Sequence, residues 1–559
     1  MRRQRRGISL LCLLFTFVLF AAACGGKSNS SSSSNSPAAE TPTEGGDVTF
    51  AAEQEGDCLD WIGSCAGASW GVYTVQAHTM PRSFDFNLDK DGKGVYSPSL
   101  ILTGEPKLTT SPKQVVEYDI APTAVWSDKV AITSADYKYT WDQIVTGADI
   151  YDKTGYDKIE SVDATNPAKA IVTFKEVYAP WRDLFGGYYG IFPSHILEGK
   201  DRDAEMKDGY TWSGGPWMLD HWTKGVETKL VPNPNYFGKK PHLSSVTFKL
   251  IADTAAQQQA IKSGQVSFAY PQAQPGQEAL KGVAGLTFDA VTSLSYEALW
   301  FNTTAKPLDD VKVRQAVAFS IDRAAIVDQL FKPVQPDILQ IDSFATPAFG
   351  DAYTNSFAKY KKDLTQVDTL MKGAGWAKDS SGLWAKAGET AKIEIKTTTG
   401  NKRRELTLQI LQSQLKEAGF DTTLTFEKSS VLFGQDGPQG NFQAALFAQV
   451  PASNDPGQCS TWCIASIPSD ANGNSGTNWY RINDTQLDTQ FKAVDTTLET
   501  AARNDAFHKG QDRLAELVPA LPVDPFPDII VYSDKIGGPV GHNPSFGPFY
   551  NMNEWFLRK

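Results

Sequence analysis

Histidine and cysteine are scarce, with six of each in 559 residues. The histidines, at positions 78, 195, 221, 242, 508 and 542, form no HxxxH pair and no HExxH. A preformed metal site is therefore not expected, because such sites gather their ligands at short, regular spacing. Positive charge is short too. Lys and Arg number 53 against 64 Asp and Glu, a formal net of −11, and the body carries no basic cluster. That balance excludes nucleic acid as the main partner, since phosphate binding needs clustered Lys and Arg. No P-loop or GxGxxG is present, so no nucleotide cofactor is expected. Beyond residue 20 no apolar run approaches the ~20 residues of a membrane-spanning helix, and a body outside the bilayer is expected.

Two fragments imitate functional motifs. Gly67-Ala68-Ser69-Trp70-Gly71 fits GxSxG, but a nucleophile elbow follows a buried strand and no clear strand precedes this one. Asn87 to Gly92 resembles the first half of a calcium loop, yet Pro98 stands where a bidentate Glu belongs. A solvated turn is the simpler reading. Catalysis is not advertised anywhere.

The N-terminus carries what the body lacks. Arg2, Arg3, Arg5 and Arg6 precede an apolar run over 8–20 and then Ala21-Ala22-Ala23-Cys24. A basic start, an apolar core and small residues make residues 1–23 a secretory signal. AAAC resembles the lipobox of bacterial lipoproteins, which implies a lipid on Cys24. Residues 24–46 are rich in Ser, Gly and Pro and read as a flexible tether. Outside the cell an even number of cysteines implies disulfides. Cys58, Cys65, Cys459 and Cys463 allow three connectivities, of which the two local pairs, Cys58/Cys65 and Cys459/Cys463, are expected.

The body alternates strand and helix patterns, which build α/β layers. Residues 115–120, 171–175 and 246–251 alternate apolar and polar side chains, the period of strands. In 254–270 a helix with Ala256, Ala260 and Ile261 on one face is expected to end near Gly264. In 403–426 a stripe of Leu406, Ile410, Leu411 and Leu415 is expected to end at Gly419 and return as a strand. Asp309 or Asp310, and Asp322, are placed to cap the helices that follow them. Aromatics are plentiful, at 14 Trp, 19 Tyr and 30 Phe. Trp70 and Tyr73, Trp300-Phe301-Asn302 and Trp479-Tyr480 sit in loop-like sequence, so they are candidates for lining a cleft as well as for the core.

Five segments then run in a familiar order: 124–144 (AVWSDKVAITSADYKYTWDQI), 213–253 (SGGPWMLDHWTKG… to …FKLIAD), 300–327 (WFNTTAKPLDDVKVRQAVAFSIDRAAIV), 360–376 and 503–523. Together they resemble the family 5 extracellular solute-binding proteins, the dipeptide- and oligopeptide-binding receptors of ABC importers. The resemblance implies a two-lobed periplasmic-binding-protein-like α/β fold, class II in its large form, with the ligand cleft between the lobes. Lobe I would take 47–80, 211–300 and 522–559, an accessory domain 81–210, and lobe II 301–521. It also implies a monomer, not an enzyme, held at the outer face of the cell membrane by lipidated Cys24. That protein would close about a hinge on a peptide and deliver it to a permease and its ATPase. Relatives that take oligosaccharides or metal chelates, and a surface lipoprotein working without a transporter, are the alternatives. In peptide-binding relatives an acid three residues before an acidic-Pro pair holds the ligand ammonium. Here the pair is Asp455-Pro456 and that position is Ala452, so Asp455 is the candidate substitute. The expected ligand-binding set is Trp70, Tyr73, Trp300, Asn302, Asp455 and Trp479. Arg403 and Arg404 are expected to face solvent.

Overall fold

The computed structural model describes residues 41–559 except 64, 66–68, 89–93, 188, 452, 454 and 544. The signal segment, Cys24, the tether up to residue 40, Gly67 and Ala68, most of the calcium-like loop and Ala452 lie outside the described residues.

One ten-stranded mixed sheet runs through the molecule. Its strands are β1 (Asp47–Ala52), β2 (Trp217–Thr223), β3 (Glu227–Pro232), β4 (Ser245–Leu250), β5 (Phe268–Ala269), β6 (Leu286–Phe301), β7 (Lys392–Thr398), β8 (Asp421–Glu427), β9 (Ala444–Gln449) and β10 (Ala520–Ser533). They lie in the order β8-β7-β9-β6-β10-β5-β1-β4-β3-β2. The first three in this order belong to one half of the molecule and the last five to the other. The long antiparallel pair β6 and β10 joins the halves. A proline donates no backbone hydrogen bond and normally keeps to edges and bulges. β10 is interior yet carries Pro522, Pro525 and Pro527, and the β6–β10 register shifts between Thr292 and Tyr296 and again between Glu297 and Ala298.

Two hydrophobic cores flank this pair. One draws mainly on residues 260–531. The other draws on 48–270 and, from the far end of the chain, on 530–555. Phe50 of β1 lies near-parallel to Phe549 at 5.5 Å between ring centroids and packs on Trp555 at 5.8 Å. Within the second core a four-stranded sheet sets Val115–Asp119 and Lys169–Phe174 between Lys107–Thr109 and Ile159–Asn166, with the helix Ser134–Thr146 over it.

Local chemistry places the helix ends as expected. Asp310 accepts from the Lys312 N–H and starts the helix Val311–Ser320, and Asp322 does the same from Ala325 for Arg323–Leu330. Gly419 takes φ +99° and ends Lys402–Ala418, a left-handed turn that suits a residue without Cβ. Two helix faces are corrected. In Lys402–Ala418 the buried face runs through Arg404, Leu408, Leu411 and Leu415, while Leu406 and Ile410 are only half-buried. In Thr254–Lys262, Ala256 is exposed and Gln257 is buried, its amide donating to the Ile251 carbonyl at 2.7 Å. Disulfides join Cys58 to Cys65 and Cys459 to Cys463, the two local pairs. Among the described residues no helix is long and apolar enough to cross a membrane.

Candidate functional site

A cavity of about 280 Å³ opens where β9 ends and the chain turns through Pro451, Ser453 and Asp455. Val72 and Gln76, on the helical run after β1, form one wall, and the segment from Tyr151 to Tyr189 forms another. Aromatic lining comes from Trp61, Tyr151, Tyr156, Tyr178, Tyr189 and Tyr296. Apolar walls with polar groups among them are the usual composition of a small-ligand site, and the volume lies just below the ~300–1,000 Å³ range of such sites.

The charged residues of the lining are all acids, Asp152, Asp183, Asp455 and Asp495, set among neutral Gln, Ser and Thr side chains. Asp455 makes a turn, accepting the Gly457 N–H at 2.8 Å, and pairs with Arg503 through both oxygens, Arg503 Nη1 lying 2.8 Å from Oδ2. Arg503 in turn is fixed by its Nε donating to the Val494 carbonyl at 2.8 Å. Asp183 accepts from the Tyr96 hydroxyl and, at 3.4 Å, from the Ser453 hydroxyl. Burial, and then the charge of Asp455, push the Asp183 carboxyl up to about 7. The same two causes raise Asp495 well above the carboxylate range, and burial raises Asp152. Among the described residues no group of three or more His, Cys, Asp or Glu side chains is arranged to hold a metal ion.

Of the expected set, Asp455 alone stands on this wall. The other five are packed behind it. Trp300 is 0 % exposed, stacks on Tyr480 at 4.4 Å and donates from Nε1 to the Phe447 carbonyl at 2.9 Å. The Asn302 amide donates to the carbonyls of Gly440 and Phe442 at 2.9 and 3.1 Å. Trp70 and Tyr73 are buried against each other and against Tyr270, one face away from Val72 and Gln76. Trp479 packs on Phe433 and Phe447 and meets the cavity only through an edge-to-face contact with Tyr151 at 6.5 Å. Burial of Trp300, Trp70 and Tyr73 follows from regular structure that the sequence did not suggest, since Trp300 lies in the interior strand β6 and Trp70 and Tyr73 in the helical run after β1. The residues that sequence reasoning missed are Tyr151, Tyr156, Tyr178 and Tyr189, a run of tyrosines among Gly, Asp and Pro that carried a readable signal, and Asp495, which carried none.

Residues 104–465 match the family model of bacterial extracellular solute-binding proteins, family 5, middle region. The chain belongs to this family. The oligopeptide-binding protein AppA of Bacillus subtilis (strain 168) is 24% identical over 468 residues, covering 80% of this chain and 81% of AppA. The solved structure of the Bacillus subtilis AppA in complex with a nonapeptide superposes with a TM-score of 0.81 at 21% identity, over 93% of this chain and 100% of the other. NikZ from Campylobacter jejuni in complex with Ni(L-His) gives 0.78 at 19%, over 91% and 99%. The shared architecture is the two-lobed α/β fold. Family 5 members are binding proteins, not enzymes.

A second polar cluster in this family 5 chain corrects an expectation. Arg403 and Arg404 do not face solvent, since both are buried against Glu297 of β6. Arg404 Nε reaches Glu297 Oε1 at 2.7 Å, and Arg403 Nη1 contacts Oε2 more closely. Burial works against ionised Glu297, yet the two guanidiniums hold its carboxyl below the usual range. Asp524 of β10, 3.9 Å from Arg403 Nη1, is raised well above its ordinary value by burial. On the far side Glu53 receives the Gln272 amide, and burial pushes its carboxyl up to about 7. These side chains come from both halves of the sheet, so the charges lie inside the junction. An isolated buried charge is costly, and here each guanidinium is set against Glu297.

Proposed function

We propose that this chain is the solute-capturing subunit of an ABC importer and that it takes short peptides into the 280 Å³ cavity. The observation that carries the reading is a cavity with aromatic walls at the exit of β9, between segments from both halves of a two-lobed fold. AppA, solved with a nonapeptide, supports peptides as the class. NikZ, solved with Ni(L-His), keeps metal chelates as the second reading. Closure would turn on the β6–β10 pair, with lobe I, the accessory domain and lobe II within the limits given above. A closed form is what a permease would distinguish from the empty one. Lipid on Cys24 and the Ser-rich tether would hold the protein at the outer membrane face, within reach of that permease.

The test is thermal shift of the chain from residue 47 onward against di-, tri-, penta- and nonapeptides and against Ni(L-His). Binding to the native state raises stability by RT ln(1 + [L]/Kd). Short peptides are expected to stabilise most. If only the chelate shifts the transition, the peptide reading is wrong. Cys24→Ser is expected to release the protein from washed membranes, and retention would refute the anchor.

A further inference from the structure

We infer that the cavity selects ligands bearing a positively charged group, an ammonium or a guanidinium, and that Asp495 is the residue that reads that charge. The inference rests on the cavity being the ligand cleft. Four carboxyl groups line it, and the cation set against them is Arg503, whose two terminal nitrogens are both spent on Asp455. Lys158, whose charge also acts on Asp495, is committed to Glu176 at 2.8 Å and to Asp157 at 3.8 Å. Asp183 is held by two hydroxyls, which donate without neutralising it. Asp495 is the exposed debt of this arrangement. It is 6 % exposed, and its Oδ1 has no hydrogen-bond partner among the described residues. A buried acceptor without a donor is a cost that a ligand N–H would remove.

Gly457 lets the backbone pass close to both Asp455 and Asp495. A Cβ there would lie 2.9 Å from Asp455 Oδ1, 3.0 Å from Asp495 Oδ1 and 2.6 Å from Pro180 Cγ. Carboxyl oxygens of both acids thus converge on the Gly457 backbone, where no side chain would fit. In the empty cavity burial, and then the charges of Asp455 and Asp157, favour the protonated form of Asp495 against the opposing pull of Arg503 and Lys158. An arriving cation favours the ionised form, so the proton leaves to solvent as the ligand's N⁺–H takes its place.

The experiment compares Ala-Arg-Ala with Ala-citrulline-Ala, and each with its N-acetyl form, by calorimetry in two buffers of different ionisation enthalpy. Wild type, Asp495→Asn, Asp495→Ser and the exposed control Asp505→Asn are measured. The charged member of at least one pair is expected to bind ten times more tightly or better, with proton release near neutral pH. Both differences should vanish in the two Asp495 variants and persist in Asp505→Asn. Having two variants guards against one that fails to fold. Peptides that bind with no charge preference overturn the inference and leave the peptide reading standing. If no peptide binds, arginine amide and citrulline amide decide. A shift with arginine amide alone, lost in Asp495→Asn, upholds the charge selection while the peptide reading falls. No shift with either overturns both.

Discussion

Glu297→Gln is the sharpest probe of the junction between the halves. The substitution keeps the shape and removes the one carboxylate that both Arg403 and Arg404 contact. Removing one partner of a buried ion pair costs about 3–5 kcal/mol. Here a reserve exists. Asp524, 3.9 Å from Arg403 Nη1, is kept neutral by burial and by Glu297 beside it. Once Glu297 loses its charge, Asp524 ionises against Arg403 and returns part of the loss. The expected cost is therefore at the lower end, about 3 kcal/mol. Asp524→Asn alone should cost under about 1 kcal/mol, because it replaces a group that is already neutral, whereas in the Glu297→Gln background it should cost about 2 kcal/mol more by removing the reserve. Guanidinium unfolding followed by tryptophan fluorescence, at pH 7 and fixed salt, completes this cycle. Equal costs of Asp524→Asn in both backgrounds would refute the reasoning, since the two carboxyls would then not share the arginines.

Glu53→Gln should gain on wild type as pH rises. The folded-state carboxyl stands near 7 against an ordinary 4.5, so between those values the native state holds a proton that the unfolded chain releases. The stability this gives is complete below pH 4.5 and lost as pH rises through 7, a change of about 3 kcal/mol that a permanent amide escapes. Denaturant midpoints at pH 4.5 and 7.5 measure it, and parallel curves would contradict the burial. Asn302→Ala strands the buried Phe442 carbonyl and the half-buried Gly440 carbonyl and should lower stability by about 1–3 kcal/mol, while moving the affinity of any cavity ligand less than twofold. Trp300→Ala should cost about 3–5 kcal/mol through its cavity, again read by denaturant unfolding. A ligand affinity lost at unchanged stability would return Trp300 to the binding wall.

What could be read in the sequence was what local chemistry decides. Asp310, Asp322 and Gly419 announce helix ends because a cap is a contact between near neighbours in the chain. The stripe on Lys402–Ala418 was found but placed around Leu406 and Ile410, since a 3.6-residue period leaves the centre of a face uncertain by a residue. Arg403 and Arg404 could not be read, because their partner is Glu297, and a pair of arginines opening a helix looks the same on a surface. Asp495 shows the same limit. It sits in the last turn of Thr485–Thr496 like any solvated helix acid. Only the fold brings Asp183 and Asp455, from two distant segments, to its side. The family segments did better, because a resemblance carries tertiary information that periodicity lacks.

The stacking of Phe50 on Phe549 and Trp555 has a consequence for the order in which the chain is made. A core that begins at residue 48 is closed by residues 530–555, so the first segment synthesised waits for the last. Before residues 530–555 emerge Phe50 can pack on Phe248 and Phe268, but the face that Phe549 and Trp555 cover stays open. Such a core stays incomplete for as long as the chain is unfinished. A core completed only by residues 530–555 cannot finish closing while the chain is still being made, which is the order that export of an unlocked chain would require.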